Sequence, residues 1–352
     1  MKKNLSLNWD AVKNLTDIYG LKVDLSSEAK TSKHYYKTIE NALALQFTSY
    51  YYYLSKDKEI LSYHDKFLNY IHLAYSQDTH RFKTGSNRSN QFDTDEHSEE
   101  VLGQVFWSIG ASNIYGSKTY KSLYENLLNK ISINCNNLTN INAISTTLLG
   151  LHHLYNANHE EEVKQKIHLL SSNLAKTVIK QVDSLEWPWY ENNLNSQSSL
   201  IIRALLTSAF VLKNKTLLIQ TQKLLNWLIS LQYRQNHVSL IDHFQGLEKG
   251  NHIQNVSENS FDTYLFLETC CDAELRFKNN TYIKFAKASL EWFFGKNKAS
   301  QSVVIDTTGQ AYEGLIGNTL NQNISSKSTL SWLLASCKYE LTVLYQKKRI
   351  KA

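Results

Sequence analysis

A single proline, Pro188, in 352 residues is the feature that most narrows the fold. Glycine is scarce as well, at 12. Sheet-rich chains reverse often, and tight turns rely on the fixed φ of proline and the positive φ of glycine. A chain this poor in both fits long helices joined by a limited set of loops. The apolar pattern agrees. Residues recur at i, i+3, i+4 and i+7 through 38–54, 59–75, 98–114, 118–133, 142–157, 161–180, 198–212, 216–231, 261–276, 282–294 and 327–345, with a shorter stretch at 9–19. About twelve helices are predicted in this way.

The connections have a rhythm. Those at 55–58, 158–160 and 213–215 are short, whereas 76–97, 181–197, 233–260 and 295–326 are long. Short links join the two helices of a hairpin and long links lead to the next hairpin, a quasi-repeat of about fifty residues. Stacked hairpins form an open solenoid or a closed ring. The unpaired segments 9–19 and 327–345 can partner each other, which hides faces that an open stack must cap. The expectation is therefore one all-α domain over 1–352, an (α/α)6 toroid with about six inner and six outer helices. The first helix of each internal pair, such as SLIIRALLTSAFVL, is apolar or small-sided all round, as an inner helix must be. The second, such as EEEVKQKIHLLSSNLAKTV, is one-sided. In this register the long loops all enter inner helices at their N-termini and gather at one mouth, where a rigid scaffold carries function.

Several classes are disfavoured. Lys and Arg number 38 against 32 acidic residues, a formal charge of +6 spread thinly, with runs only at Lys2–Lys3 and 347–351. A nucleic-acid binder concentrates its cations on one element or face. The opening MKKNLSLNWD is broken by Asn4, Asn8, Trp9 and Asp10, so no signal peptide is expected, and no apolar run reaches membrane-span length. The four cysteines, Cys135, Cys270, Cys271 and Cys337, fit neither a zinc spacing nor a disulfide framework and read as buried thiols, with the cytoplasm as the expected compartment. No metal or cofactor is expected. His152 and His153 are adjacent on a helix and diverge by about 100°, so they do not share an ion. There is no glycine-rich phosphate loop and no nucleophile elbow.

The sharpest motif is Glu186-Trp-Pro-Trp-Tyr-Glu191. Sugars stack their C–H faces on aromatic planes while carboxylates bind hydroxyls, which makes Trp187, Trp189, Tyr190 and Glu191 candidates. The bland alternative is that both tryptophans plug the ring. A second cluster, Asp93-Thr-Asp-Glu-His-Ser-Glu-Glu100, leads into an inner helix. Acidic residues stabilise a helix N-terminus and Asp95 or Ser98 can cap it, yet this does not demand both Glu99 and Glu100 beside a cavity. Weaker loop candidates are Asp242-His243, Glu258-Asn-Ser-Phe-Asp262, and Asp306 to Gly314 with Tyr312 and Glu313.

At these residues the sequence resembles the α/α-toroid domain of bacterial carbohydrate proteins, a six-hairpin-glycosidase-like group found alone or joined to GT-B-type glycosyltransferases, some of them neighbours of mannoside phosphorylases. The resemblance runs from about Arg81 to Leu334. It rests on Arg81-Phe82, Glu99-Glu100 with Gly103-Gln-Val-Phe-Trp-Ser-Ile-Gly110, and Trp187-Pro-Trp-Tyr-Glu-Asn-Asn-Leu194. It continues in Trp292-Phe-Phe-Gly-Lys-Asn297, Asp306-Thr-Thr-Gly309, Tyr312-Glu-Gly-Leu315, and Asn321-Gln-Asn323 with Ser328-Thr-Leu330. Departures accompany it. Glu-Asp followed by His-Gly-Arg becomes Glu99-Glu100-Val-Leu-Gly-Gln104. Tyr-Asp-Asn-Ala becomes Ser196-Gln-Ser-Ser199. A Gln-Gln-Pro…Glu stretch is replaced near Asp262-Thr-Tyr264, and Gly-Ala-Glu-Ser by Ser325-Ser-Lys-Ser328. Lanthionine cyclases, another toroid group, need a Cys/Cys/His zinc site that is missing here. Terpenoid cyclases need an Asp-rich stretch that Asp93-Thr-Asp95 does not supply.

The resemblance implies a sugar or oligosaccharide bound at the mouth, with Arg81, Trp187, Trp189, Tyr190, Asp242, His243, Asp262, Asp306 and Tyr312 as contact candidates. If the protein is an enzyme, two carboxylates are expected to act on a glycosidic bond, with Glu99 or Glu100 as acid and Glu191 or Glu313 as base. An inverting pair needs about 6.5–9.5 Å between carboxyls. The lost polar motifs fit a rival expectation, a non-catalytic glycan-binding or scaffolding partner of a separate glycosyltransferase. Two carboxylates across an open cavity favour the first; a filled cavity favours the second.

Overall fold

The structure is a computed structural model that describes residues 7–24, 34–95, 98–234, 236–253 and 256–351. Among these are twelve α-helices: α1 (Asp10–Leu15), α2 (Thr38–Ser55), α3 (Glu59–Ala74), α4 (Glu99–Tyr115), α5 (Lys121–Ser132), α6 (Ile141–Asn158), α7 (Glu161–Val178), α8 (Ser198–Val211), α9 (Lys215–Gln232), α10 (Ser260–Phe277), α11 (Ile283–Phe293) and α12 (Ser326–Lys351). Helices α2, α4, α6, α8, α10 and α12 pack each on the next, and α12 returns to α2. Outside them, α3 lies on α2, α5 on α4, α7 on α6 and α8, α9 on α8, α11 on α10 and α12, and the short α1 on α12. This is an (α/α)6 toroid. None of the described helices is long and apolar enough to cross a membrane.

Burial follows the two kinds of helix. Every residue of α4 from Val101 to Ser112 is buried. In α7 only Val163, Ile167, Leu170, Ser171, Leu174 and Val178 are, one face at helical spacing. The inner helices α4 and α6 approach most closely through glycines. A Cβ on Gly103 would sit 2.2 Å from Thr146 Oγ1, and one on Gly150 would sit 2.8 Å from the carbonyl carbon of Phe106.

Local chemistry sets the ends. Ser98 caps α4, Asn140 caps α6, Asn214 caps α9 and Asn259 caps α10, each with its side-chain oxygen on a free backbone N–H; such a cap contributes about 1 kcal/mol. At the other ends, Lys56, His159 and Lys278 close α2, α6 and α10 in the left-handed region, at φ 62°, 57° and 57°. Glycine usually fills that position, and a residue with a Cβ costs about 1–2 kcal/mol there. The chain thus stays poor in glycine without losing its helix stops. Helix α1 is shorter than the periodicity of 9–19 suggests, because Thr16 is extended and Asp17 Oδ1 accepts the Tyr19 N–H at 2.9 Å, drawing the backbone into a turn. Helix α12 runs past the apolar pattern to Lys351.

The long loops carry small sheets. The largest is antiparallel and three-stranded, with Tyr312–Ile316 between Ser257–Asn259 and Thr319–Ile324. Gly314 makes this pairing possible. Its φ is 145°, and a Cβ there would lie 1.9 Å from the Glu258 carbonyl oxygen.

The centre of the ring is filled. Trp107 and Tyr264 stack nearly parallel at 6.3 Å, and the Arg203 guanidinium lies 4.9 Å over the Trp107 ring. Gln46 donates to the Tyr50 and Tyr264 hydroxyls at 3.1 and 3.3 Å and accepts from Ser108 at 3.2 Å.

Candidate functional site

The inner-helix N-termini and the three-stranded sheet border two adjoining cavities. One, of about 230 Å³, lies between His243 and Phe244, the sheet, and the start of α12. The other, of about 70 Å³, runs between the inner helices past Glu100, Gln104, Trp107 and Phe261. Lys327 belongs to both walls.

The most organised chemistry here is a histidine–carboxylate pair. His243 Nδ1 lies 2.6 Å from Asp262 Oδ2. Asp262 stands in the first turn of α10 and is buried. His243 keeps 29 % of its side chain exposed. Its loop is fixed from below by Asp242, which accepts the backbone N–H groups of Gln245, Ser257 and Phe244 at 2.7, 2.8 and 2.9 Å. Burial pushes the Asp242 carboxyl up, and these backbone donors outweigh it, holding the group below its usual range. The hydrogen bond that His243 Nδ1–H donates to Asp262 raises the His243 pKa above 6.5, against a smaller opposing effect of burial. Asp262 Oδ1 is buried without a protein partner.

Lys327 faces this pair. Its ammonium sits 4.1 Å from the Phe261 ring centroid. Burial pulls its pKa down, while Asp262 and Glu40 act in the opposite direction. Glu40, at the start of α2, is buried, accepts a hydrogen bond from Ser326, and has Lys37 at 3.8 Å; burial pushes its pKa up. Glu313, half-buried on the central strand, lines the larger cavity. Glu100 is exposed beside the smaller one, with the Asn140 side-chain amide at 3.3 Å.

Of the residues singled out in the sequence, Glu100, His243, Glu258, Asp262 and Glu313 line or adjoin these cavities, and Asp242 supports the loop. The others are placed elsewhere or already engaged. Glu99 accepts the Asn140 and Thr139 backbone N–H groups at 2.7 and 2.8 Å, tying the start of α4 to that of α6. Burial raises its pKa, but those donors prevail and hold the carboxyl low, which suits a tie and not an acid. Arg81 lies on the small hairpin of Tyr75–Ser76 and Arg81–Phe82, where its charge acts on Glu99. Asp306 is exposed on a turn whose carbonyl accepts from Asn8, and the Tyr312 carbonyl accepts from Ser260. Glu96 and His97, within the acidic cluster, lie outside the described residues.

The Trp187–Glu191 segment departs most from a sugar platform. Trp187 is 5 % exposed and meets Trp227 of the outer helix α9 edge-on at 5.3 Å. Trp189 is 0 % exposed. Tyr190 packs on Trp189 at 4.9 Å, and burial together with Glu191 raises its pKa. Glu191 is exposed outside both cavities. Neither indole offers a face to a ligand in this conformation, because each is spent on filling the space under the loop.

Two residues were not named as site candidates from the sequence, Lys327 and Glu40. Both carried a signal, a charged residue in the first turn of an inner helix whose next turns are mostly apolar or small. Glu258 accepts the Trp292 indole N–H at 2.7 Å and has Lys298 at 3.3 Å, anchoring the sheet to α11. Among the described residues no group of three or more His, Cys, Asp or Glu could hold a metal ion.

No protein-family model matches the sequence, and no curated protein matches it. Solved structures do match in shape. A sugar epimerase from a ruminal bacterium is 12 % identical with a TM-score of 0.70, over 95 % of this chain and 96 % of that one. A cellobiose 2-epimerase from Spirochaeta thermophila is 9 % identical with a TM-score of 0.72, over 99 % and 96 %. The GH76A α-1,6-mannanase of a Salegentibacter species is 12 % identical with a TM-score of 0.65, over 95 % and 99 %. At such identities the likeness establishes the toroid fold that this chain shares with them.

Proposed function

We propose that the protein is a carbohydrate-active toroid that binds a sugar at the N-terminal mouth and moves a proton on it through His243. The observation that carries this reading is the 2.6 Å pair of His243 with Asp262 on the wall of an open cavity. An imidazole oriented by a carboxylate takes a proton in its neutral form and is stabilised as imidazolium afterwards. Lys327 beside it suits an oxygen that gains negative charge as a neighbouring carbon loses its proton. Return of the proton to the other face, or to the adjacent carbon, gives an epimer or an isomer with no oxidant. Hydrolysis by two carboxylates has less support. Glu99 is committed to the α6 backbone and Glu191 lies outside the cavities, which leaves Glu100 and Glu313 as the remaining pair. Several solved toroids of similar shape are sugar epimerases, in keeping with proton transfer.

A second reading, a non-catalytic glycan-binding partner of a glycosyltransferase, is favoured by one observation. The Trp107–Tyr264 stack and Arg203 occupy the centre and leave about 70 Å³ between the inner helices. One experiment separates the readings. The protein is incubated in D2O with aldoses and reducing disaccharides, and proton NMR follows both saturation transfer and deuterium uptake beside the carbonyl carbon. Uptake that falls about 10²–10⁴-fold in His243→Asn supports proton transfer. Saturation transfer without uptake supports the binding module. Release of monosaccharide without uptake supports hydrolysis, and no sugar signal of any kind removes the carbohydrate reading.

A further inference from the structure

The opposite end of the ring holds a further cavity, of about 480 Å³, where the inner helices end. Its wall brings together cations from three of them: Arg203 of α8, Arg276 of α10, Lys278 just beyond α10, and Lys338 and Arg349 of α12. Asp272 is the one carboxylate among the described residues lining it, and it is shared. Arg203 Nε reaches it at 2.6 Å, Lys338 Nζ at 2.9 Å and Arg276 Nη1 at 3.6 Å. Glu268 pairs with Arg203 from behind. Five cations thus face two carboxylates.

Helix C-termini carry partial negative charge, and basic residues near them are common on that account. This explains Arg276, Lys278 and Arg349. It does not explain Arg203 or Lys338. Arg203 is in the first half of α8 and Lys338 near the middle of α12, beyond the last turn to which the effect is confined. The local field is positive enough to act on neighbours. Burial and then Arg276 hold His152 well below its ordinary pKa, and Arg276 itself is pulled down by burial and by Arg203. His152 accepts from Arg276 at 3.0 Å, consistent with a neutral ring. Arg276 is nine-tenths buried, and its Nε has no partner. Tyr115 and the half-exposed Phe210 line the same cavity, the latter under the Arg276 guanidinium at 5.6 Å.

We infer that this cavity is a binding site for a small oxyanion, a phosphate monoester with an apolar or ring-bearing body, separate from the sugar-binding mouth. Guanidinium groups suit phosphate because their N–H donors match its oxygens in pairs. The aromatic walls take the body of the ligand.

The test uses the full chain with inorganic phosphate and phenyl phosphate as probes. Titration calorimetry is run at constant ionic strength set with sodium chloride. The wild type is expected to bind both, phenyl phosphate more tightly. Lys278→Glu/Arg349→Glu, which alters two exposed rim positions, is expected to keep its melting temperature and weaken both probes at least tenfold. His243→Asn, at the other end of the ring, is expected to bind them like the wild type. No binding by the wild type overturns the site. So does binding that the rim variant leaves unchanged, which would reduce the cations to partners of the helix ends.

Discussion

Trp187 donates its indole N–H to the Glu191 carbonyl at 2.6 Å, closing the loop between them on itself. The ring is pressed against Trp227 and is nearly without solvent. Trp187→Ala is therefore expected to destabilise the fold by about 3–5 kcal/mol, the range for emptying a buried tryptophan site. Urea denaturation read by circular dichroism checks this. A variant with unchanged stability and weakened sugar binding would restore the loop as a ligand platform.

The His243–Asp262 pair makes a prediction about pH. The folded-state pKa of His243 is raised above 6.5, first by the hydrogen bond to Asp262. A raised pKa contributes stability that is full below the unfolded value and is lost as pH rises through the folded one. NMR titration of the His243 ring should give a midpoint above 6.5, and Asp262→Asn should bring it down. Stability of the wild type relative to Asp262→Asn should shrink as pH climbs through that midpoint. A midpoint unmoved by Asp262→Asn would mean the pair is not formed in solution.

The α4–α6 contact yields a test of packing alone. A Cβ on Gly150 would stand 2.8 Å from the Phe106 carbonyl carbon, 2.9 Å from its oxygen and 3.0 Å from the Trp107 nitrogen, all of them backbone atoms. No side chain can swing away to make room, so the helices must part. Gly150→Ala removes the entropic penalty of glycine, worth about 1 kcal/mol in a helix interior. It should nevertheless destabilise, by about 1–3 kcal/mol, the usual cost of overpacking. A stabilised variant would show that α4 and α6 sit further apart than described.

These residues also show what a sequence discloses. The toroid was legible because it depends on patterns that repeat: helical periodicity, alternating short and long links, and the contrast between α4, buried on every side, and the one-sided α7. The candidate site was legible only in part. His243 and Asp262 could be named as loop candidates, yet nothing in the spacing of 242–243 and 258–262 shows that a loop folds back to put Nδ1 on a carboxylate. The Trp187 motif was ambiguous because aromatic and acidic residues serve a sugar platform and a loop plug equally well; the packing partner, Trp227, favours the plug. Lys327 and Glu40 belong to helix starts far apart in the chain, and their relation exists only once α12 has met α2.

Asp272 supports the last prediction. It is the shared counterion of Arg203, Lys338 and Arg276, and all four side chains are at least nine-tenths buried. Burial raises its pKa, but the three cations, Arg203 foremost, outweigh that and hold it well below 3.8. A depressed carboxyl pKa contributes stability that is present above the unfolded value and disappears as pH falls through the folded one. Acid should thus uncouple this cluster only well below pH 3.8. Asp272→Asn removes the charge at every pH and leaves three buried cations with Glu268 alone. Breaking a buried ionic cluster on one side costs about 3–5 kcal/mol, mostly through the uncompensated charges that remain. The variant should lose about that much in urea unfolding at neutral pH, and the gap to the wild type should narrow toward pH 2. If the basic cavity takes phosphate, the variant should regain stability as phosphate is added at constant ionic strength, by more than the wild type gains. An Asp272→Asn variant as stable as the wild type without phosphate would show that the cations do not depend on this carboxylate.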